Sequence, residues 1–364
     1  MAFFVNGAGF GGWAAQVPRA TARLQVDEGT FGLMLLGMGI GAVLAMAFSG
    51  RLIAKYGAGP LMRLSFVIFL AAYIVLSTSS TWTVFVAGLL LFGAAGGLMD
   101  VAMNAYAADV EMHMDWRVMA SFHGMWSVGG LAGAGAASAM LADISDLTQA
   151  IVMVAGLSIL FITCQHNLIP LRHKAGGKSG GRLAIGRLTL ILGILAALSF
   201  SAEGAVRDWS SLFMTSEVAA SIDRAGWAFA AFSATMALCR LTGDWMRSRF
   251  GERRVIVISG AIAIVGFLLA VAGAHYLLAV TGFALVGLGL SNIVPILISA
   301  AGRTDAPGSS IAFVVSFGYA GYLVSPPILG FIASQASLAT MFVFVAASCV
   351  VISAGWLLVD RAKA

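Results

Sequence analysis

Apolar runs about as long as a bilayer is thick follow one another through almost the whole chain, and few architectures accommodate such a pattern. A helix needs about 20 predominantly apolar residues to cross the hydrocarbon core. Twelve runs approach or exceed that length, at roughly 2–18, 30–49, 61–80, 83–107, 118–141, 148–170, 188–214, 225–246, 255–273, 276–299, 309–334 and 338–359. Only 10% of the 364 residues are charged, against about 25% in soluble domains. The runs lack the polar–apolar alternation of barrel strands, and the 44 glycines suit helices that pack closely in lipid. The expected fold is all-α and integral to the membrane, with twelve transmembrane helices. The first run ends at Pro18 after about 17 residues, the short end of the spanning range. Either its true start lies upstream or this helix is short at one end. With no basic n-region and no cleavage site, the N-terminus does not read as a signal peptide.

The runs fall into two copies. Gly50 to Gly57 (GRLIAKYG) returns as Asp244 to Gly251 (DWMRSRFG), an offset of 194 positions. The same offset carries Gly32 to Gly226, Gly93 to Gly287 and Gly124 to Gly318. One constant spacing across separate segments marks a duplicated half, and in an apolar chain paired halves commonly build a carrier with its site between them. The stretch 172–187 (RHKAGGKSGGRLAIGR) is basic and glycine-rich and reads as a flexible linker. The expected domains are a six-helix half at 1–171, a cytoplasmic linker at 172–187 and a second six-helix half at 188–364.

Basic residues orient a membrane protein. With both termini inside, Arg51, Lys55, Arg63, the linker cluster, Arg247, Arg249, Arg253, Arg254, Arg361 and Lys363 are cytoplasmic. The outer loops then keep only Arg19, Arg23 and Arg224, with Arg207 near a helix end. The net charge of +5 is this topogenic bias rather than a nucleic-acid surface. Cys164, Cys239 and Cys349 stand singly in or near apolar segments, as small buried side chains without a disulfide or metal framework. Gly7, Gly9 and Gly12 spell G-x-G-x-x-G, but no strand precedes them, so close helix packing is the reading. Without a Walker, H-E-x-x-H or Cys-x-x-Cys pattern, no cofactor or metal is expected, and ATP-driven transport would need a nucleotide site on another chain.

GRLIAKYG resembles the loop between the second and third helices of the major facilitator superfamily, commonly G-x-L-x-D-R/K-x-G. Gly50, Leu52, Lys55 and Gly57 match, whereas Ala54 stands where the acid is usual. The second copy has Asp244 for the first glycine and Ser248 at the acidic position. Gly93 to Gly97 and Gly129 to Gly135 are similar to the family's glycine-rich fourth and fifth helices, and Ser325-Pro326-Pro327 to its eleventh. The strings FFVNGAGFGGWAAQVP, DVAMNAYAADVE and SFHGMWSVGGLAGA are most similar to the YbjJ-like bacterial branch. The resemblance implies two halves rocking about a midplane cavity lined by helices 1, 4, 7 and 10, and a loop whose charge contacts clamp helix ends. Ala54 leaves that clamp without its acid.

Ionisable groups within spans are costly and point to function. Glu203, in LSFSAEGAVRDW of the seventh helix with Gly7 as its approximate counterpart, is the leading proton carrier and a substrate contact. The alternative is a structural carboxyl bonded to a neighbouring helix. Asp100, second as proton carrier, and Asn104 lie four apart on one face of the fourth helix, for substrate contact or for a helix-to-helix hydrogen bond. Asn6, Trp13 and Gln16 punctuate the first helix. Asn6 and Trp13 lie two turns apart, an aromatic beside polar groups that suits stacking of a ligand, although Trp13 equally suits an interfacial anchor. Asn292, three residues before Pro295, is a further cavity candidate. Gly50, Lys55, Gly57, Arg117, His123, Arg240, Asp244 and Arg249 are gate candidates. Arg117 is placed to pair with Asp109, Glu111 or Asp115, or to belong with them to a solvated gate-side loop, and His123 for a gating or a packing role. Arg240 with Asp244 would form an intrahelical pair replacing the missing loop acid. Arg207 and Asp208 are expected at the outer rim, leaving a cavity poor in basic residues.

These readings converge on a monomeric, multi-pass carrier of the inner membrane rather than an enzyme. It moves a small polar or amphipathic solute by alternating access with proton coupling, acting within the lipid bilayer and without nucleic acid. A proton-driven multidrug-type exporter is the runner-up. A membrane sensor built on a carrier scaffold would call for a signalling domain or a long tail.

Overall fold

The computed structural model describes residues 1–112, 119–165, 186–304 and 307–363. Among these residues the chain is helical with short turns and contains no strand. The first half comprises α1 (Ala2–Leu24), α2 (Glu28–Tyr56), α3 (Ala58–Thr78), α4 (Trp82–Met112), α5 (Met119–Leu141) and α6 (Asp146–Gln165). The second comprises α7 (Arg187–Ser216), the single turn α8 (Ile222–Ala225), α9 (Trp227–Phe250), α10 (Glu252–Val271), α11 (Tyr276–Leu290), α12 (Ile293–Ala301), α13 (Pro307–Gln335) and α14 (Leu338–Lys363). α8 leads into α9, and α11 with α12 form one broken span, so the described helices make twelve crossings in two pseudo-symmetric sets of six. Both chain ends lie on one face, called here the termini face; the other is the far face.

Nine spans among the described residues are long and apolar enough to cross a bilayer by length and composition. α1, α5 and α9 are of similar length, and α1 and α9 are the least apolar of the long helices. α1 explains why this is tolerable. It is buried along almost its whole length, packed against α3, α4, α5, α6 and α7, and so shows little surface to lipid. At Gly7 an added Cβ would overlap the Trp126 carbonyl of α5, which gives the G-x-G-x-x-G pattern its packing role.

Two boundaries differ from those read in the sequence. α1 continues through Pro18 to Leu24, so Arg19 and Arg23 belong to its last turns rather than to a loop. Thr21 Oγ1 donates to the Val17 and Pro18 carbonyls there. Both arginines meet Asp146 at the start of α6, each at 2.5 Å. In the tenth span the chain breaks at Ser291 and Asn292. Pro295 offers no N–H to the carbonyl four residues back and its ring crowds that group, which is Ser291's.

The 194-residue offset has a physical counterpart. Gly57 and Gly251 both adopt positive φ, 86° and 78°, where α2 turns into α3 and α9 into α10, and glycine carries no steric cost there. Gly93 lies against the Met38 carbonyl, and Gly287 against that of Phe232. Met38 and Phe232 are themselves 194 apart, so the same helix crossing, α2 on α4 and α9 on α11, is built twice. The two sets of helices meet along α2 with α13, α5 with α9, and α1 with α7.

Candidate functional site

α7 carries the centre of the molecule. Around Glu203 it is built from small residues, Ala202, Gly204 and Ala205, which let other helices approach and leave the carboxylate little water. Glu203 is only 9% exposed. Its Oε2 accepts from Arg240 Nη2 of α9 at 3.4 Å, and its Oε1 is buried without a hydrogen-bond partner. Arg240 Nη1 donates to Ser127 Oγ of α5 at 3.3 Å. One guanidinium therefore touches both halves.

One helical turn beyond Glu203, Arg207 uses Nε and Nη2 to donate to the two carboxylate oxygens of Asp208, at 2.7 and 2.8 Å. Its guanidinium sits between the rings of Phe10 of α1, at 5.6 Å, and Tyr322 of α13, at 5.1 Å, a geometry in which each ring face attracts the cation. Phe10 neighbours Trp126 at 6.4 Å, and Trp126 Nε1 donates to Asn6 Oδ1 at 2.8 Å. Asn6 Nδ2 is buried and unpartnered. On the other side Phe200 lies 5.0 Å from Tyr322 and 5.6 Å from Tyr319. Tyr319 Oη donates to Asp100 Oδ2 of α4 at 2.8 Å, a second tie between the halves. Asn104 Nδ2 donates to Asp100 Oδ1 and to the Asp100 carbonyl.

Six helices thus bring Asn6, Glu203, Arg240, Asp100 and Asn104 into one polar, aromatic-walled cluster, together with groups the sequence reading placed elsewhere. Arg207 and Asp208 are the main correction. They lie in this cluster and not at an outer rim, so the centre holds two arginines and is not poor in basic residues. The signal was present, since Arg207 follows Glu203 by four residues and must share its face. Tyr319, Tyr322, Phe10, Phe200 and Ser127 had no charge or spacing to single them out.

Other candidates sit apart from the cluster. Trp13 is fully buried among Phe31, Phe85 and Phe92, not at a lipid interface. Gln16 Nε2 donates to Gln149 Oε1 of α6 at 2.5 Å, and Gln149 to Tyr73 Oη, a chain inside the first half. Asn292 packs at the α11–α12 break against α9, with Nδ2 3.6 Å from Cys239 Sγ. His123 stacks edge-on with Phe3 at 5.3 Å but borders the cluster, within electrostatic reach of Arg240. Gly50 has open space about it, Lys55 Nζ lies over the Tyr56 ring, and Arg249 is exposed. Arg117 and the side chain of Asp244 lie outside the described residues, and with them the pairings expected of both.

On the termini face an acid does occupy the second-half loop. Glu252, the residue after Gly251, accepts from Arg247 Nη2 at 2.9 Å and from Arg303 Nη2 at 2.5 Å. Glu252→Gln is expected to lower the melting temperature at low salt by the equivalent of about 1 kcal/mol or less, and the difference should shrink as salt is raised. A difference that salt leaves unchanged would detach it from this ion network.

The sequence profile of the Major Facilitator Superfamily matches the chain twice, over residues 1–200 and 189–364. The chain belongs to the major facilitator superfamily. An MFS-type transporter of Yersinia pestis is 36% identical over 99% of this chain and 94% of its own length. Membrane protein MosC of Rhizobium meliloti is 31% identical over 99% of this chain and 88% of its own. Among solved structures, the nucleoside transporter NupG superposes with a TM-score of 0.78 at 14% identity, covering 99% of this chain and 97% of its own. A bacterial homologue of the lysosomal transporter Spinster, inward-facing and occupied, gives 0.74 at 10% identity over 99% of this chain and 95% of its own. At such identities the structural likeness establishes the facilitator fold alone. This chain is thus a multi-pass membrane transporter of the facilitator family whose substrate is a small molecule.

Proposed function

We propose that this facilitator is a proton-coupled secondary carrier of a small polar or amphipathic solute, working by alternating access about the α7-centred cluster. The observation that carries the reading is Glu203. It is a buried carboxylate with one long ion-pair contact and one unpartnered oxygen, and it faces an arginine that also holds the opposite half. A carboxylate so placed is costly to keep charged, and taking up a proton frees Arg240 from it, so proton binding and the tie between halves are linked. The halves 1–171 and 188–364 are the moving bodies, joined by the 172–187 linker, and the carrier is a monomer of the inner membrane. A proton-driven exporter of amphipathic compounds uses the same cluster in the other direction, and its aromatic walls suit that reading too.

Purified protein in liposomes loaded with a pH-sensitive dye tests this directly. A transported solute should acidify the lumen in step with its own entry, and an imposed inward proton gradient should accumulate it. Solute entry without proton movement removes the coupling.

The termini face is assigned to the cytoplasm, on the excess of basic residues there. Alkaline phosphatase fused after Lys178 should be inactive, and fused near Ser221 it should be active. The opposite pattern inverts the protein in the membrane.

A further inference from the structure

The polar atoms left over in the central cluster are mostly donors. Arg207 commits Nε and Nη2 to Asp208 and its Nη1 has no partner among the described residues. Asn6 Nδ2 is likewise a buried donor without an acceptor, on a side chain 1% exposed. Arg240 is held only loosely. Its bonds of 3.3 and 3.4 Å are well beyond the roughly 2.7–2.9 Å of a relaxed charge-assisted bond. Among the described residues of the cluster, the one acceptor that is fully buried and unpartnered is Glu203 Oε1, and the proton that the proposed coupling puts on Glu203 turns that carboxylate into a donor as well.

The charges lead the same way. Arg207 is offset by Asp208 and Arg240 by Glu203, so protonating Glu203 leaves one guanidinium charge uncompensated in a buried site, which is expensive. The groups facing Glu203 are Arg240 from α9, Tyr322 from α13 and Arg207 from α7 itself, with Asp208 beside Tyr322 and Arg207, and with His123 of α5 facing Arg240. None of them is an anion free to replace it: Asp208 is committed to Arg207, and Asp100, the remaining carboxylate of the cluster, to Tyr319 and Asn104. A cationic solute would meet two guanidinium groups, and a neutral one would leave Arg240 without a counter-charge. The walls around these donors are the rings of Phe10, Trp126, Phe200 and Tyr322, which favour a flat or apolar body.

We infer that the solute is a monoanion, a carboxylate on a flat or apolar body, whose carboxylate takes the place of Glu203 on Arg240 while its body lies against the aromatic wall. This rests on the carrier reading above, because it uses the coupling proton to vacate Arg240. Two oxygens of one carboxylate match the fork of a guanidinium, so Arg240 and not Glu203 is the residue that sets the charge class.

The test uses the full-length protein in nanodiscs with a panel of matched probes. Benzoate, phenylacetate and indole-3-acetate are the anions, benzamide and benzyl alcohol the neutral counterparts, benzylamine the cation, and glucose a polyol. A solute that binds only the native state raises the melting temperature. At least one monocarboxylate should raise it, and its neutral and cationic counterparts should not. Arg240→Gln should weaken that carboxylate's binding about tenfold or more, and Arg240→Lys, which keeps the charge but not the fork, by less. The melting temperatures of the two variants without ligand show whether each is folded. Binding of an amine or a neutral probe in preference to every carboxylate overturns the inference, as does a panel in which no carboxylate binds. So does carboxylate binding that Arg240→Gln and Arg240→Lys, both folded, leave unchanged. Failure of the carrier reading looks different: a carboxylate would bind through Arg240 yet never cross a liposome membrane.

Discussion

Glu203→Gln is expected to abolish proton-driven accumulation while leaving solute exchange across the membrane intact. Glutamine keeps the side chain's shape and still offers Arg240 an oxygen, so the contact with α9 and its tie to Ser127 of α5 survive. What is lost is the ability to take up and release a proton. Counterflow, in which labelled and unlabelled solute exchange with no gradient, requires only binding and rocking and should continue within a few-fold of the native rate. Uptake driven by an imposed pH gradient should fall to the level of passive equilibration. Full gradient-driven uptake in Glu203→Gln would remove this residue as the coupling site and pass the role to Asp100, whose carboxylate meets Tyr319 across the halves.

A second large effect is expected where the halves close against each other on the far face. Gly32 of α2 sits so near α13 that an added Cβ would lie 2.5 Å from the Pro326 carbonyl oxygen and 3.0 Å from Gly330 Cα. The adjacent Phe31 meets Trp209 of α7 edge-on at 5.7 Å, completing the contact. Gly32→Val forces a side chain against the α13 backbone, and overpacking of this kind costs about 1–3 kcal/mol. Because the strain disappears when the far face opens, the closed-to-open ratio should fall by about fivefold to a hundredfold or more. Beside this contact lies a depression of about 520 Å³ between α1, α2, α7 and α8, lined by Thr21, Gln25, Thr215 and Ser216. A cysteine introduced at Thr215 should react with a membrane-impermeant maleimide markedly faster in the Gly32→Val background. Unchanged labelling in a protein of unchanged melting temperature would show that α2 and α13 do not part there.

The fold was legible because each of its causes is local and one-dimensional. Span length, scarcity of charge and the 194-residue offset are all written along the chain, and the paired crossings of Gly93 on Met38 and Gly287 on Phe232 are their three-dimensional echo. The site was legible only in Glu203 and Asp100, its amides and Arg240. Glu203 declared itself as a carboxylate in an apolar span, but Arg207 was assigned to a rim by its distance from the helix middle, when its four-residue spacing from Glu203 fixed its face. The described bonds of Arg240 run across to Glu203 and Ser127. Such partners lie 37 and 113 residues away, and no periodicity encodes that. The aromatic cage of Phe10 and Tyr322 around Arg207 joins two halves in the same way, through residues that in sequence look like ordinary apolar filling.

The central claim is that the two halves rock about the Glu203–Arg240 cluster, so that one face opens as the other closes. Spin-label distances measured on both faces of one preparation test it most directly. One pair of labels belongs at Gln25 and Thr215, which line the far-face depression, and the other at Tyr56 and Ala312, exposed on the termini side of α2 and α13. Across a pH titration, and in the Glu203→Gln and Gly32→Val variants, the two distances should move in opposite directions, with one population growing at the other's expense. Two distances that stay fixed under all of these conditions, or that lengthen together, would contradict the account.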